Sequence, residues 1–335
     1  MEAVIRPIHL GPNQPHDRFY RGGNQIAAFR RLAEARPYTP EDWVASVTTL
    51  FGENVLGLTR LEHGGLLVDD IAAEPVGWLG SDHVRRWGDD PCLLVKLLDA
   101  GERLPVHIHP DRDFAGSHLG LTHGKAEAWL MLKPAVVRLG WVRNVSADEL
   151  ADWVERQDVE SMLAATHSMQ VEAGDAIFVP PGCPHAIGES AFLVEVQEPS
   201  DLSVLLEWRD FAIDGARDGH LGLGFATALQ AVDHAELPTE CLSDLVVRTS
   251  RGASVLPSGA REYFRLELHH LGTVDLDPGY SVLVLSSGTG VLTSPTNQWD
   301  PVDLTAGDTI LVAYAAGSIV AEGNATLVRC RPPEP

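Results

Sequence analysis

A chain of 335 residues is long enough for two domains that each bury a core of their own. Apolar residues make up 44% and charged residues 21%, an ordinary globular mix that speaks against the disordered, fibrous and membrane-spanning classes. With 47 acidic residues against 25 basic ones, a formal charge of -22 repels phosphate backbones and anionic lipid at long range, so neither nucleic acid nor a membrane is an expected partner. The same field disfavours an anionic small molecule unless a metal or a few basic side chains supply local positive charge.

The first thirty residues hold no apolar signal-like run, and no apolar stretch of spanning length follows. Thr39-Pro40-Glu41-Asp42 offers an N-cap, a proline and first-turn acids, which predicts a helix running to Gly52. From Pro91 onward the chain reads as short strands: PCLLVKLLDA, LPVHIHP, AEAWLMLKP, VVRLGW, DAIFVPP and AFLVEVQ, each bounded by Gly, Pro or Asp. Ser146 and Glu149 form a capping box ahead of LADWVERQDVESMLAA, which predicts a helical insertion over about 146–166. A further helical pattern, GLGFATALQAVDHAEL, begins at Gly222, and the chain is strand-rich again from Glu262. One turn recurs: the GDAIFV that starts at Gly174 is echoed by the GDTILV that starts at Gly307, as two copies of one barrel would give. Aligned without a gap, Ser318 stands where the first copy has His185. His269 and His270, being adjacent, point to opposite faces of a strand, so the second copy is expected to be free of metal. The four cysteines, Cys92, Cys183, Cys241 and Cys330, form no CxxC pair and indicate neither a disulfide framework nor a zinc knuckle; a reducing cytoplasm fits them.

In LPVHIHP the imidazoles of His107 and His109 stand two residues apart and leave one face of a strand together, which is a chelating arrangement. A lone HxH is weak, because two solvated residues on a strand look the same. The wider spacing carries more. Gly101 precedes His107 by the interval of the first cupin motif, and Gly174, Pro180, Gly182 and His185 follow the spacing of the second. Pro180-Pro181-Gly182 supplies the fixed and permissive φ values needed to aim His185 inward. Three neutral imidazoles need an anionic ligand to balance a divalent cation, and both Asp113 and Glu127 are candidates.

VKLLDAGERLPVHIHPDRDFA, HGKAEAWLML, GDAIFVPPGCPHAI and LVEVQEPSD, in this order, resemble the type I phosphomannose isomerases of the cupin superfamily, in their short bacterial form. The resemblance covers most of the chain. It implies a mostly β fold of two cupin-type jelly-roll barrels with a helical insertion and flanking helices: a catalytic domain over 1–215 and a degenerate one over 216–335. It implies a metal, zinc or another divalent transition ion, on His107, His109, Glu127 and His185, with His107 in place of the family's glutamine. It further implies that Lys125 and Glu195 line the pocket as acid/base groups, and that the activity is interconversion of mannose 6-phosphate and fructose 6-phosphate through a cis-enediol.

One position departs from the family. Where an active-site arginine follows the SD pair, this chain has Leu205, and Arg209 lies roughly 13 Å further along an extended strand. Isomerisation of an unphosphorylated or different sugar is therefore an alternative, as are a cupin dioxygenase and a noncatalytic sugar-binding protein. Several residues also have ordinary readings. Lys125 is a candidate surface lysine, Glu195 a candidate partner for Arg138, Trp129 core filler or a sugar platform, and Cys183 a small buried residue. His118, His123, His167, His220 and His234 fit no ligand spacing and read as loop or surface histidines.

Overall fold

The structure is a computed structural model that describes residues 6–248 and 254–335. Its strands form three antiparallel sheets, as the predominance of strand patterns predicts. The first, six-stranded, runs in the order Val246–Val247, Ala176–Val179, Glu127–Met131, Phe192–Gln197, Leu94–Asp99, Glu41–Val44. The second, five-stranded, runs Val204–Leu205, His107–Ile108, His185–Ile187, Ala135–Trp141, Thr166–Val171. These two pack face to face: Leu98, Trp129, Ile177 and Leu193 of one share a core with Val137, Leu139, Val171 and Ile187 of the other.

The six-stranded sheet is buried on its other face too. Val95, Leu97, Ala128, Leu130, Val194 and Val196 pack with Leu266, Val282, Val284, Leu311 and Val328 of the third, seven-stranded sheet. Double burial explains why these strands read as nearly continuous apolar runs. It also makes their few charged residues conspicuous, because each must find a partner inside.

The echoed turn is built the same way twice. Gly174 and Gly307 take φ of 91° and 94°, and the aspartate after each accepts a hydrogen bond from the backbone N–H three residues before it, Glu172 at 2.9 Å and Thr305 at 2.7 Å. Strand pairing also runs across the expected boundary between 215 and 216. Val246–Val247 joins the edge of the first barrel, Leu221, Ala228 and Val232 pack with Val106, Ile108 and Trp141, and Ile8–His9 pairs with Ile310 and Leu311 of the third sheet.

The helical insertion matches its capping signal: Ser146 Oγ accepts from Glu149 N–H at the head of helix Ala147–Arg156, and helix Val159–Ala165 follows. Two other helices need correction. Thr39–Gly52 is not helical; Glu41–Val44 is an edge strand paired with Val95–Leu98. Glu41 accepts from Tyr20 Oη (2.5 Å), Arg18 Nε (3.0 Å) and Trp43 Nε1 (2.6 Å), and Arg30 lies 3.2 Å from Asp42, so partners distant in sequence override the local capping signal. The pattern beginning at Gly222 yields only one helical turn, Phe225–Ala228, and a 3-10 turn, Leu229–Ala231. Asp233 then extends the chain by donating its N–H to Gly182 O (2.9 Å) and accepting from Trp141 Nε1 (2.8 Å).

His123, read as an ordinary loop histidine, is largely buried beside two carboxylates, with Nε2 2.6 Å from Asp90 and Nδ1 3.6 Å from Glu198, whose other partner is Arg112. Burial alone lowers its pKa, but the contacts with Asp90 and Glu198 outweigh burial and carry it from 6.5 up to about 9. A folded-state pKa above the unfolded one adds stability that is complete below pH 6.5 and disappears as pH rises through about 9. The shift is worth up to about 3 kcal/mol. Urea unfolding of the metal-free protein at pH 6 and pH 9.5 is expected to show a loss that His123→Gln does not share; equal losses in both proteins would refute the assignment.

Candidate metal centre and pocket

The strand register places the functional side chains before any side-chain conformation is considered. Across the inner face of the six-stranded sheet, Trp43 pairs with Lys96, Lys96 with Glu195, and Glu195 with Trp129, so these four form one row. Across the facing sheet Leu205 pairs with His107, His107 with His185, and His185 with Leu139. Both rows open on a cavity of roughly 410 Å³ whose walls include Lys96, His107, Lys125, Glu127, Glu195 and Leu205.

His107, His109 and His185 converge with potential ligand atoms all within 4.8 Å of one another, and all three are buried. Each ring has its Nδ1 against a backbone carbonyl: His107 on Pro105 (2.9 Å), His109 on Leu202 (2.7 Å) and His185 on Cys183 (2.9 Å). A carbonyl only accepts, so each Nδ1 carries the proton and each Nε2 presents a lone pair. Burial, then the neighbouring His185 and His109, holds His107 well below its ordinary pKa, while burial and Lys125 bring His109 down to about 3. Both rings are thus neutral at physiological pH, the form that binds a cation.

Glu127 stands against two of these rings. Its Oε2 lies 2.9 Å from His109 Nε2 and its Oε1 3.3 Å from His185 Nε2. Burial would raise the Glu127 carboxyl, but Lys125 and His109 overcome it and keep the group anionic. Lone pairs and a carboxylate therefore face one another across a short gap. Glu127 Oε2 and His185 Nε2 are buried without a well-formed hydrogen bond, although charged groups stand close by. A cation between them resolves this conflict, and three nitrogens plus one oxygen suit a divalent transition ion. Asp113, the other carboxylate candidate, is exposed on the first turn of helix Arg112–Leu119 and belongs to a different cleft.

Lys125 is no surface lysine. It is buried, with Nζ 2.9 Å from Glu127 Oε2, 2.9 Å from His109 Nε2 and 3.9 Å from Glu195 Oε1. Glu195 pairs with Lys96 at 3.4 Å and not with Arg138, which donates instead to Leu163 O. Burial, together with the charge of Glu127, raises the Glu195 carboxyl above the ordinary range. Trp129 is fully buried and donates Nε1–H to Glu127 Oε1 at 3.0 Å, so it serves as core and also orients the carboxylate. Trp129→Phe is expected to keep the fold yet weaken divalent-metal affinity by about 10- to 100-fold, as loss of an outer hydrogen bond does. Competition with a chromogenic chelator reads this directly, and unchanged affinity would count against that role.

Gly182 holds φ at 80° and donates its N–H to His109 O at 2.7 Å, tying the second motif to the first; an added Cβ would meet Ala231 O at 3.0 Å. Cys183 is buried, its thiol pushed by burial up to about 12 and inert. Leu205 is buried beside His107, whereas Arg209 is exposed and donates to Arg156 O on the insertion. Sequence reasoning overlooked Lys96, Glu41 and Arg18. Lys96 alone interrupts the apolar run LLVKLL, and that interruption is the signal that marks it.

No family model matches the chain. It is 34% identical over 122 residues to the mannose-6-phosphate isomerase ManA of Bacillus subtilis, covering 36% of this chain and 38% of that one. With the mannose-6-phosphate isomerase of Streptococcus mutans it shares 32% identity over 204 residues, 59% of each chain. The chain thus spans under two thirds of the length of either curated relative. Among solved structures, the mannose 6-phosphate isomerase of Bacillus subtilis superposes with a TM-score of 0.73 at 22% identity, over 97% of this chain and 99% of that one. The apo enzyme of Salmonella typhimurium gives 0.70 at 16% identity over both whole chains. A mannose 6-phosphate isomerase bound with zinc and yttrium gives 0.70 at 16% identity, over 98% of this chain and 99% of that one. The fold is therefore that of the phosphomannose isomerases, and the comparisons of sequence and fold bear out the resemblance to them.

Proposed function

We propose that this protein is a metal-dependent aldose–ketose isomerase acting on mannose 6-phosphate and fructose 6-phosphate, with zinc as its metal. The observation that carries the reading is the set of three buried imidazoles, each with Nδ1 held on a backbone carbonyl and two with Nε2 within 3.3 Å of Glu127, beside a cavity lined by His107, Lys125 and Glu195. Zinc favours this nitrogen and oxygen donor set. Bound on His107, His109, His185 and Glu127, the ion would supply Lewis acidity toward a sugar carbonyl and its neighbouring hydroxyl.

The remaining work falls to the chain. Isomerisation moves one proton between adjacent carbons through a cis-enediol, which calls for a group that can both take and return it. Glu195, raised by burial and Glu127, is tuned for that exchange. Lys125, beside Glu127 and Glu195, places an ammonium where negative charge develops on oxygen. Lys96 holds Glu195 from the far side, and the apolar walls at Leu98, Leu104 and Ile187 limit water. Four free cysteines suit a cytoplasmic enzyme, which is part of the same reading.

Zinc-loaded protein is expected to interconvert the two sugar phosphates in a coupled assay, and chelation is expected to abolish it. No turnover in either direction would end the proposal. A second reading, an unphosphorylated sugar, is favoured by Leu205 on the wall beside His107 and by the engagement of Arg18 and Lys96 with Glu41 and Asp201. Comparing mannose with mannose 6-phosphate separates the two.

A further inference from the structure

A second cluster of metal-ligating side chains lies outside the pocket. Asp90, Cys92 and His123 bring a carboxylate oxygen, a thiol sulfur and an imidazole nitrogen within 4.8 Å of one another. They come from distant parts of the chain: Asp90 and Cys92 from the loop leading into strand Leu94–Asp99, His123 from the loop before strand Glu127–Met131. Asp90 and His123 line a second cavity of roughly 600 Å³ that shares Phe51 and Asp201 with the first and is bordered also by Thr122 and Leu202, while Cys92 is buried.

We propose that Asp90, Cys92 and His123 form a second site for a borderline-soft divalent cation such as zinc, with its open coordination position facing this cavity. A carboxylate, a thiolate and a neutral imidazole together balance a dication, and mixed sulfur, nitrogen and oxygen donors are a set that zinc accepts. The outer partners are present as well. Metal on His123 Nε2 leaves Nδ1–H directed at Glu198 Oε1, 3.6 Å away, and this buried Nδ1 has no hydrogen bond of good geometry otherwise. Glu198 is itself fixed by Arg112 Nε (2.5 Å) and Ala126 N–H (2.9 Å), which makes a carboxylate–histidine–metal arrangement.

Two adjustments accompany binding. Asp90 Oδ2 and His123 Nε2 stand 2.6 Å apart as an ion pair, and they separate by several tenths of an ångström to the roughly 3.3 Å that tetrahedral ligands at zinc bond lengths require. The Cys92 thiol, whose proton burial and Asp90 now retain, and His123, an imidazolium beside Asp90 while the metal is absent, each release one proton to solvent on coordination. The site shares no residue with the histidine centre, whose donors include no sulfur, so the two respond to different substitutions.

That difference makes the test specific. Full-length protein stripped with chelator and titrated with Co²⁺ is expected to bind two equivalents, one of them bringing a near-ultraviolet thiolate-to-cobalt charge-transfer band. Cys92→Ser is expected to remove that band and lower binding to one equivalent, and His123→Ala to weaken the same equivalent by about 10- to 100-fold. Cys183→Ser is expected to leave the band intact. His185→Ala, which disables the other centre, is expected to leave it intact too, so failure of one site is not mistaken for failure of the other. Circular dichroism verifies that each variant folds. A single equivalent without the band in the folded parent protein, or a band that survives Cys92→Ser, overturns the proposal.

Discussion

Substituting His185 by alanine is expected to leave the protein folded, unable to retain zinc at the histidine centre, and slower in sugar isomerisation by on the order of a thousandfold or more. The size follows from what the centre supplies. Polarising a carbonyl with a metal is worth several kcal/mol, and each 1.36 kcal/mol is tenfold in rate. His185 is the most informative of the three histidines because it is wholly buried and stands in register with His107. Alanine also leaves Glu127 Oε1 without its neighbour at 3.3 Å, so the remaining donors lose their common focus. Two readouts separate this from general damage. Added zinc should raise the melting temperature of the parent protein more than that of the variant, which keeps only the second cluster, since a ligand stabilises a state in proportion to the sites it fills there. Free imidazole, which fits the space vacated, should restore part of the activity. A variant that keeps its zinc and full turnover would contradict the assignment.

The histidines were legible in the sequence because strand geometry turns spacing directly into direction. An i, i+2 pair must share a face, and a Pro-Pro-Gly turn must reverse the chain, whatever surrounds them. Ser146 was legible for the same reason: a capping box is satisfied within four residues. What sequence could not reveal was pairing between distant segments. Glu41 sits in a stretch with every local mark of a helix start, yet its carboxylate is claimed by Arg18 and Tyr20 upstream and by Lys96 far downstream. His123 and Asp90 are 33 positions apart and give no pattern that a spacing rule would detect. Lys96 lay between these cases. Its position inside an apolar run signals a buried charge, but only the register with Glu195 shows where that charge is spent.

That register underlies the second large effect. Glu195→Gln preserves shape while removing the carboxylate, and it is expected to lower kcat by about 10²- to 10⁴-fold, the usual share of a proton-transfer group, with zinc content unchanged because Glu195 is no ligand. KM should move little, since the loss falls on the proton-transfer step. The pH profile is the sharper criterion. A group that must be ionised to accept a proton gives a rate that falls as pH drops through its pKa, and burial and Glu127 place that limb above the ordinary glutamate range. The glutamine variant should lose the limb. Lys96→Met provides the complementary case. Lys96 lies 3.4 Å from Glu195 and favours its anionic form, so removing the ammonium should shift the acid limb to still higher pH without abolishing turnover. A purely structural role for Lys96 predicts lost stability with the limb in place, and a limb that stays fixed in both variants would move the proton-transfer role from Glu195 to Lys125.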